Sequence, residues 1–420
     1  MDRRDFVRHS ALLAAAALLP GRVSGATSSA GVQLGIDVLE AGGFRELTGG
    51  VRCGLLTHPA GVSADGRRTI DILARAPGVR LTKLFGPEHG IDGKAAAEVA
   101  VGMTRDARTG LPAYSLYGKT RRPTPEMLDG LDVMVVDLQD IGSRSYTYVS
   151  CLRYVMEACF SAPRPIRVVV LDRPNPLGGV KVDGPGIDPK WKSYVGAYPM
   201  PYVHGLTIGE IARWAATQPG VLELDYAKRA GWALQVVPMR GWRREMTWND
   251  TGLAWVATSP RIPTSQAAFG YAMVGLGCQL GEFRHGHGDQ FPFRFVTYPK
   301  RRADELVAAL GNRVPGLTLT PQTMADGTQG VYTTISDWRV FRPCSLSIQL
   351  LRQACEWGGN PFPRATRTER DLFIKHWGRE AIFEGFRRDG ARFDVDGQVR
   401  AWTDECAQFR AETAPARIYA

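Results

Sequence analysis

Polar residues capable of acid–base chemistry gather in three short stretches, each directly after an apolar run: Gly86-Pro87-Glu88-His89-Gly90, Asp137 through Arg144, and Asp172-Arg173-Pro174-Asn175-Pro176. A carboxyl group held rigidly between proline and glycine in a partly desolvated cleft has its pKa raised towards general-acid use. Glu88 is therefore the first catalytic candidate, and its structural alternative is a helix cap or a partner for an arginine. His89 is a candidate catalytic neighbour, better suited to positioning a hydrogen bond than to shuttling the proton. Asp140 is the candidate second acid, because loop carboxylates beside a site face the ligand more often than strand-end residues such as Asp137.

Binding candidates surround these groups. Arg144 and Arg173 could recognise a substrate carboxylate in bidentate fashion, or form ordinary salt bridges to Asp140 and Asp172. Asp172 and Asn175 accompany Arg173 as candidate substrate contacts. Tyr146 and Tyr148 could line a sugar-binding wall or pack at the start of a helix, and Tyr148 is kept in the binding set. His204 precedes a capped helix, a neighbourhood suited to a polar or anionic group. Glu210 is assigned to the capping box with Thr207.

His285, His287 and Asp289 alternate, as a metal site on one strand face would require, so a metal-dependent hydrolase is one reading of the chain. A glycine-rich ligand-binding loop carries the same spacing, and it is preferred. Neither a G-x-S-x-G elbow nor an H-E-x-x-H helix is present, which argues against a common serine esterase or zinc peptidase.

The elements that must position these residues alternate β-branched runs with helical patterns, the signature of a largely parallel sheet covered by helices. Strands are expected at Val51–Thr57, Val79–Phe85, Val133–Leu138, Val168–Leu171 and Leu234–Val237. Helices are expected at Thr69–Arg75, Pro125–Leu131, Tyr146–Phe160 and Ile208–Thr217. Thr57-His58-Pro59-Ala60-Gly61 stands where a dinucleotide fingerprint would open the first crossover, so the fold is expected to be Rossmann-like without NAD. After about Trp242 the pattern changes, with helical segments near Ala303–Leu310, Leu346–Trp357 and Glu380–Arg388. The expected organisation is α/β throughout: a Rossmann-like, mostly parallel domain over residues 31–245 and a smaller α/β domain over 246–420. In such open sheets ligands bind beyond the carboxyl ends of the strands, where the three polar stretches fall.

Residues 1–26 differ from the rest. Arg3-Arg4 precedes a short apolar run from Ala11 to Leu19 and small residues at Ser24-Gly25-Ala26, a twin-arginine export pattern whose run is far shorter than the roughly 20 residues of a membrane span. A periplasmic or otherwise extracytoplasmic protein without stable membrane insertion is expected. Seven widely spaced cysteines without a C-x-x-C pair point to buried thiols. The 52 basic and 42 acidic residues give a net charge of +10, but the basic residues are dispersed and no nucleic-acid module accompanies them. Attraction to an anionic envelope polymer or a simply solvated surface both fit.

At these motifs the chain resembles the exo-acting β-N-acetylmuramidases, a glycoside hydrolase family formerly known as a domain of unknown function. The resemblance takes in Leu55-Leu56-Thr57, Phe85 through Ile91, Ser115-Leu116-Tyr117-Gly118-Lys119-Thr120-Arg121, Asp137 through Tyr148, Leu171 through Pro176, Asp183-Gly184-Pro185 and His204 through Glu210. It implies a Rossmann-like N-terminal domain, a smaller C-terminal domain, a cleft between them, and release of N-acetylmuramic acid from the non-reducing ends of peptidoglycan fragments. It also implies Glu88 as acid/base and adds Tyr117 to the substrate-binding candidates. The chain departs from the family at His58, where asparagine is usual, and over Gln279 to Gln290, where His287 replaces an arginine and joins the substrate-binding candidates. Glycoside cleavage needs a second group besides the acid, either Asp140 or the substrate's own 2-acetamido oxygen, and neither route requires a metal or cofactor. A catalytically silent glycan-binding protein is the alternative of a different class, and oligomeric state is not legible.

Overall fold

The computed structural model describes residues 31–93 and 103–420, and Gly31–Ala420 form one compact unit. The export pattern of residues 1–26 lies outside the described residues. The five expected strands form one contiguous block of a seven-stranded sheet: β1 (Arg52–Thr57), β2 (Arg80–Gly86), β3 (Thr104–Arg105), β4 (Pro112–Ser115), β5 (Val133–Asp137), β6 (Arg167–Leu171) and β7 (Leu234–Val237), in the order β3-β4-β2-β1-β5-β6-β7. Every neighbouring pair is parallel except β3 with β4. The chain steps outward from β1 through β2 to β4, then returns to lay β5 on the other side of β1. That reversal makes the crevice beyond β1 and β5 the switch point at which α/β sheets bind ligands.

The apolar runs are continuous because both faces of the sheet are covered. Along β5, Val133 and Val135 face one core with Leu55 and Leu171, while Met134 and Val136 face another with Leu56 and Val170. The first core is closed by α1 (Gly35–Ala41) and α2 (Thr69–Arg75), which supply Ile36, Leu39, Ile70 and Leu73. The second is closed by α4 (Tyr148–Phe160) and α5 (Ile208–Thr217), with Leu152, Ile211 and Trp214. Each fully buried aliphatic side chain contributes about 1.5–3 kcal/mol, so covering both faces fixes register as well as stability.

Two helix boundaries differ from expectation. The helix α3 (Pro125–Leu128) starts on its Thr124 cap but stops short of Leu131, because Asp129 is extended and Gly130 turns left-handed at φ 73°. The α4 helix starts at Tyr148 rather than Tyr146, which leaves Ser145, Tyr146 and Thr147 in the loop over the crevice.

After β7 the chain builds a smaller domain. The α6 helix (Ser265–Val274) leads into β8 (Arg284–His285), β9 (Phe295–Thr297), β10 (Leu317–Thr323) and β11 (Gln329–Ile335), an antiparallel sheet ordered β10-β11-β9-β8. The α7 helix (Ala303–Leu310) lies between β9 and β10. Then α8 (Pro343–Gly358), α9 (Arg367–Trp377), α10 (Glu380–Asp389) and α11 (Val395–Thr413) enclose a third core around Phe362, Phe373, Trp377, Phe386 and Trp402. The end of the chain returns to the first sheet, where Tyr419 donates its hydroxyl hydrogen to Asp172 at 2.6 Å and Ile418 N–H bonds Glu210. All seven cysteines are free thiols, and only Cys278 is less than fully buried. Among the described residues no helix is long and apolar enough to cross a membrane.

Candidate active site at the carboxyl edge of the parallel sheet

Glu88 follows β2 in a turn closed by Gly90 N–H to Pro87 O at 3.0 Å. The turn places His89 in the left-handed region at φ 72°, a conformation that costs a non-glycine residue energy and that surrounding structure must enforce. Gly86 permits this: a Cβ there would stand 2.8 Å from Ile91 N. Glu88 is half-buried, and its Oε2 accepts a hydrogen bond of 2.8 Å from Thr147 Oγ1 in the loop before α4. Three phenols lie in its electrostatic field. Burial raises Tyr148, Tyr194 and Tyr271 above the ordinary phenol range, and the negative charge of Glu88 adds to each shift. His89 is buried beside the β1 turn; burial of His58 there lowers its pKa well below the usual imidazole value, and the charges of Arg173 and, to a smaller extent, His89 add to that shift.

Asp140 sits in the next strand-end loop, nearly fully buried. Its Oδ2 accepts from Gly142 N–H at 2.7 Å and from His204 Nε2 at 3.1 Å. Because His204 Nδ1 accepts from Leu206 N–H at 3.2 Å, the ring proton resides on Nε2 and is donated to Asp140. Asp140 Oδ1 has no hydrogen-bond partner among the described residues, and its charge is felt by Tyr146 and Tyr271. His204 is therefore the orienting partner of Asp140 and, fully buried, does not itself present a surface to a ligand.

Several other candidates are engaged within the fold. Arg144 is completely buried; it donates to the carbonyls of Pro185, Met200 and His376 at 2.6–2.8 Å, and burial lowers its pKa to about 10. It ties the loop after β5 to α9 in place of recognising a substrate carboxylate. Arg173 forms a two-pronged ion pair with Asp137, not with Asp172, and donates to Val62 O at 2.6 Å. Asp172 accepts from Arg173 N–H, Gly209 N–H, Thr207 Oγ1 and Tyr419 Oη, so it caps α5 and anchors the C-terminus. Gly209 allows that approach, since a Cβ there would lie 2.7 Å from Asp172 Cγ. Asn175 donates to Leu206 O and accepts from Leu177 N–H, bracing its own loop.

Tyr148 donates to Thr258 O at 2.6 Å and packs edge-on against His58, with ring centroids 4.7 Å apart. His58 Nε2 in turn accepts from Gln139 N–H at 2.9 Å, joining β1 and β5 across the switch point. Tyr117 packs against Tyr194 at 5.7 Å.

The far wall differs most from expectation. His287 pairs with Asp326 in the β10–β11 turn at 3.3 Å. His285 instead stacks on Phe293 at 4.3 Å, and Phe293 packs on Tyr271 at 5.0 Å. Asp289 is fully exposed and pairs with Arg261 at 3.3 Å. The alternating triad is thus dispersed, and among the described residues no group of three or more His, Cys, Asp or Glu side chains could hold a metal ion.

Sequence reasoning passed over Thr147, Tyr194 and Tyr271. Thr147 was absorbed into the expected start of α4. Tyr271 lies on α6, within a stretch for which no element was expected. It belongs to the smaller domain, yet its hydroxyl meets Ser145 Oγ at 2.9 Å and its ring packs on Tyr146. Both domains therefore contribute side chains around Glu88.

These features define a two-domain α/β protein with a carboxylate-bearing, tyrosine-rich site at the carboxyl edge of its parallel sheet. Residues 53–266 match the N-terminal model, and residues 269–419 the C-terminal model, of exo-beta-N-acetylmuramidase NamZ. The chain belongs to this family. It is 42% identical over 290 residues to the peptidoglycan beta-N-acetylmuramidase NamZ of Bacillus subtilis (strain 168), a match spanning 68% of this chain and 66% of that protein, just under two thirds of its length. A crystal structure of a DUF1343 family protein from Bacteroides fragilis superimposes with a TM-score of 0.83 at 34% identity, covering 93% of this chain and 99% of that one. A second DUF1343 protein from the same organism shares the fold at 24% identity, with a TM-score of 0.69 over 92% and 99% of the two chains.

Proposed function

We propose that the protein is an exo-acting glycoside hydrolase that releases terminal N-acetylmuramic acid from peptidoglycan fragments, with Glu88 as its general acid. The observation that carries this reading is the placement of Glu88: a half-buried carboxyl group at a strand end, oriented by Thr147, whose charge reaches three tyrosines. The family relationship supports the choice of substrate class.

Glycoside cleavage proceeds through an oxocarbenium-like transition state, and protonation of the leaving oxygen lowers its barrier. Glu88 supplies that proton. Asp140, held by His204 and the Gly142 amide with Oδ1 unbonded, supplies negative charge to the cationic centre. It acts directly or by orienting the substrate's 2-acetamido group. Tyr271 and Tyr117, which keep part of their surface exposed, offer flat faces to the sugar ring.

The Arg3-Arg4 pattern and the short apolar run supply the address: the chain folds in the cytoplasm and acts in the periplasm after twin-arginine export. The test is product release from a chromogenic muramic acid glycoside and from purified muropeptides. Liberated N-acetylmuramic acid supports the reading; intact substrate after extended incubation overturns it.

A further inference from the structure

We propose that Arg121 recognises a carboxylate on the substrate and thereby selects an acidic amino sugar over its neutral counterpart, an inference that rests on the activity proposed above. The parallel strands β2 and β4 place Gly86 opposite Ser115, and Leu116 N–H bonds Gly86 O at 2.8 Å. Two residues beyond that matched pair come Glu88, after β2, and Tyr117, after β4, so the loops carrying them leave the sheet side by side.

Arg121 follows in the Tyr117 loop. Its guanidinium lies 4.3 Å from the Tyr194 ring centroid and 5.1 Å from that of Tyr117. Tyr194 connects it to the site. Burial raises the Tyr194 phenol, the positive charge of Arg121 opposes that shift and the negative charge of Glu88 adds to it, so one buried ring lies within the field of both groups.

The other arginines near the site are occupied: Arg144 by three carbonyls, Arg173 by Asp137 and Arg122 by Glu157. Arg121 is exposed and makes no ion pair or hydrogen bond among the described residues. A guanidinium held over aromatic faces keeps its N–H edge for bidentate bonding to a carboxylate, with less conformational freedom to lose than an arginine extended into water. N-acetylmuramic acid differs from N-acetylglucosamine by an ether-linked lactyl group, which carries such a carboxylate. A charge-assisted bidentate contact discriminates the two by about 10- to 100-fold.

Calorimetric titration of the folded chain with N-acetylmuramic acid and with N-acetylglucosamine tests this without requiring turnover. The expected result is at least tenfold tighter binding of the acidic sugar by wild type. In Arg121→Ala that preference should collapse to within about twofold while affinity for the neutral sugar is kept, and Arg121→Lys should restore part of it. The proposal is overturned if wild type shows no preference, if Arg121→Ala retains it, or if both sugars weaken equally. A chain that prefers the acidic sugar through Arg121 yet hydrolyses no glycoside would refute the hydrolase reading and leave the Arg121 assignment standing.

Discussion

Thr147 Oγ1 donates a 2.8 Å hydrogen bond to Glu88 Oε2, joining the loop after β2 to the residue that immediately precedes α4. The bond fixes one carboxyl oxygen and so aims the other. Thr147→Val keeps the shape and removes the donor. We expect kcat to fall about tenfold with KM changed less than twofold, since a hydrogen bond contributes about 0.5–1.5 kcal/mol and tenfold in rate is about 1.4 kcal/mol. Steady-state kinetics on a muramic acid glycoside decides it, and an unchanged kcat would remove Thr147 from the machinery.

His204 holds Asp140 by a single Nε2 contact while its Nδ1 is fixed by the Leu206 amide. His204→Phe should lower kcat by about 10- to 100-fold, because the buried Asp140 oxygen keeps only the Gly142 amide and loses the donor that orients it from the other side. His204→Gln, which can donate from a similar position, should recover part of that loss. Equal defects in both variants, accompanied by equal losses of Tm, would show a purely structural role.

Arg173 and Asp137 form a buried ion pair beneath the crevice. Removing one partner leaves an uncompensated charge in the interior, so Arg173→Met should cost about 3–5 kcal/mol of stability. Denaturant unfolding measures this. The Arg173→Met, Asp137→Leu double variant should be more stable than the single one.

Burial raises Asp172 to about 6, the largest contribution to its shift, against the lowering effect of its bonds from Tyr419, Gly209 and Thr207. In the unfolded chain an aspartate titrates near about 3.9. Between those values the folded state holds a proton that the unfolded state has released. This contribution to stability is fully present below about pH 4 and is lost as pH rises through 6. Thermal melts from pH 4 to 7 should show a downward component in wild type that is missing in Asp172→Asn; parallel profiles would contradict it.

His287 faces Asp326, not the tyrosines around Glu88. His287→Ala should leave kcat/KM within about twofold of wild type, the range of an ordinary surface substitution. A loss of tenfold or more would mean that the β8–β9 loop reaches the substrate.

The parallel sheet was legible because its strands are buried on both faces, and runs such as Val133–Val136 declare themselves without a partner. The strands β3 and β4 at one end of the sheet were not, since two residues and a proline-led tetrapeptide carry no pattern. The antiparallel sheet was missed for a related reason: Thr318 to Thr323 on β10 is largely solvated and reads as loop. At the site, strand-end position drew attention to Glu88 and Asp140, and the fold brings both into the field of one phenol, Tyr271. It could not tell Arg121, which stays exposed, from Arg144, which meets backbone carbonyls, or from Arg173, which meets Asp137. Arg144 and Arg173 sit in polar motifs as Arg121 does, and only tertiary packing separates them. Tyr271 was beyond reach because it arrives from another domain, more than 100 residues from its partner Ser145.

The central claim, that Glu88 is the proton donor, is tested most directly by the turnover of Glu88→Gln. Glutamine preserves size and the Thr147 contact but cannot give up a proton. The measurement is single-turnover release of N-acetylmuramic acid from an unactivated muropeptide, with Tm recorded alongside. We expect a rate lower by at least about 10²-fold at a Tm within a few degrees of wild type. A variant that folds normally and hydrolyses at the wild-type rate would contradict it.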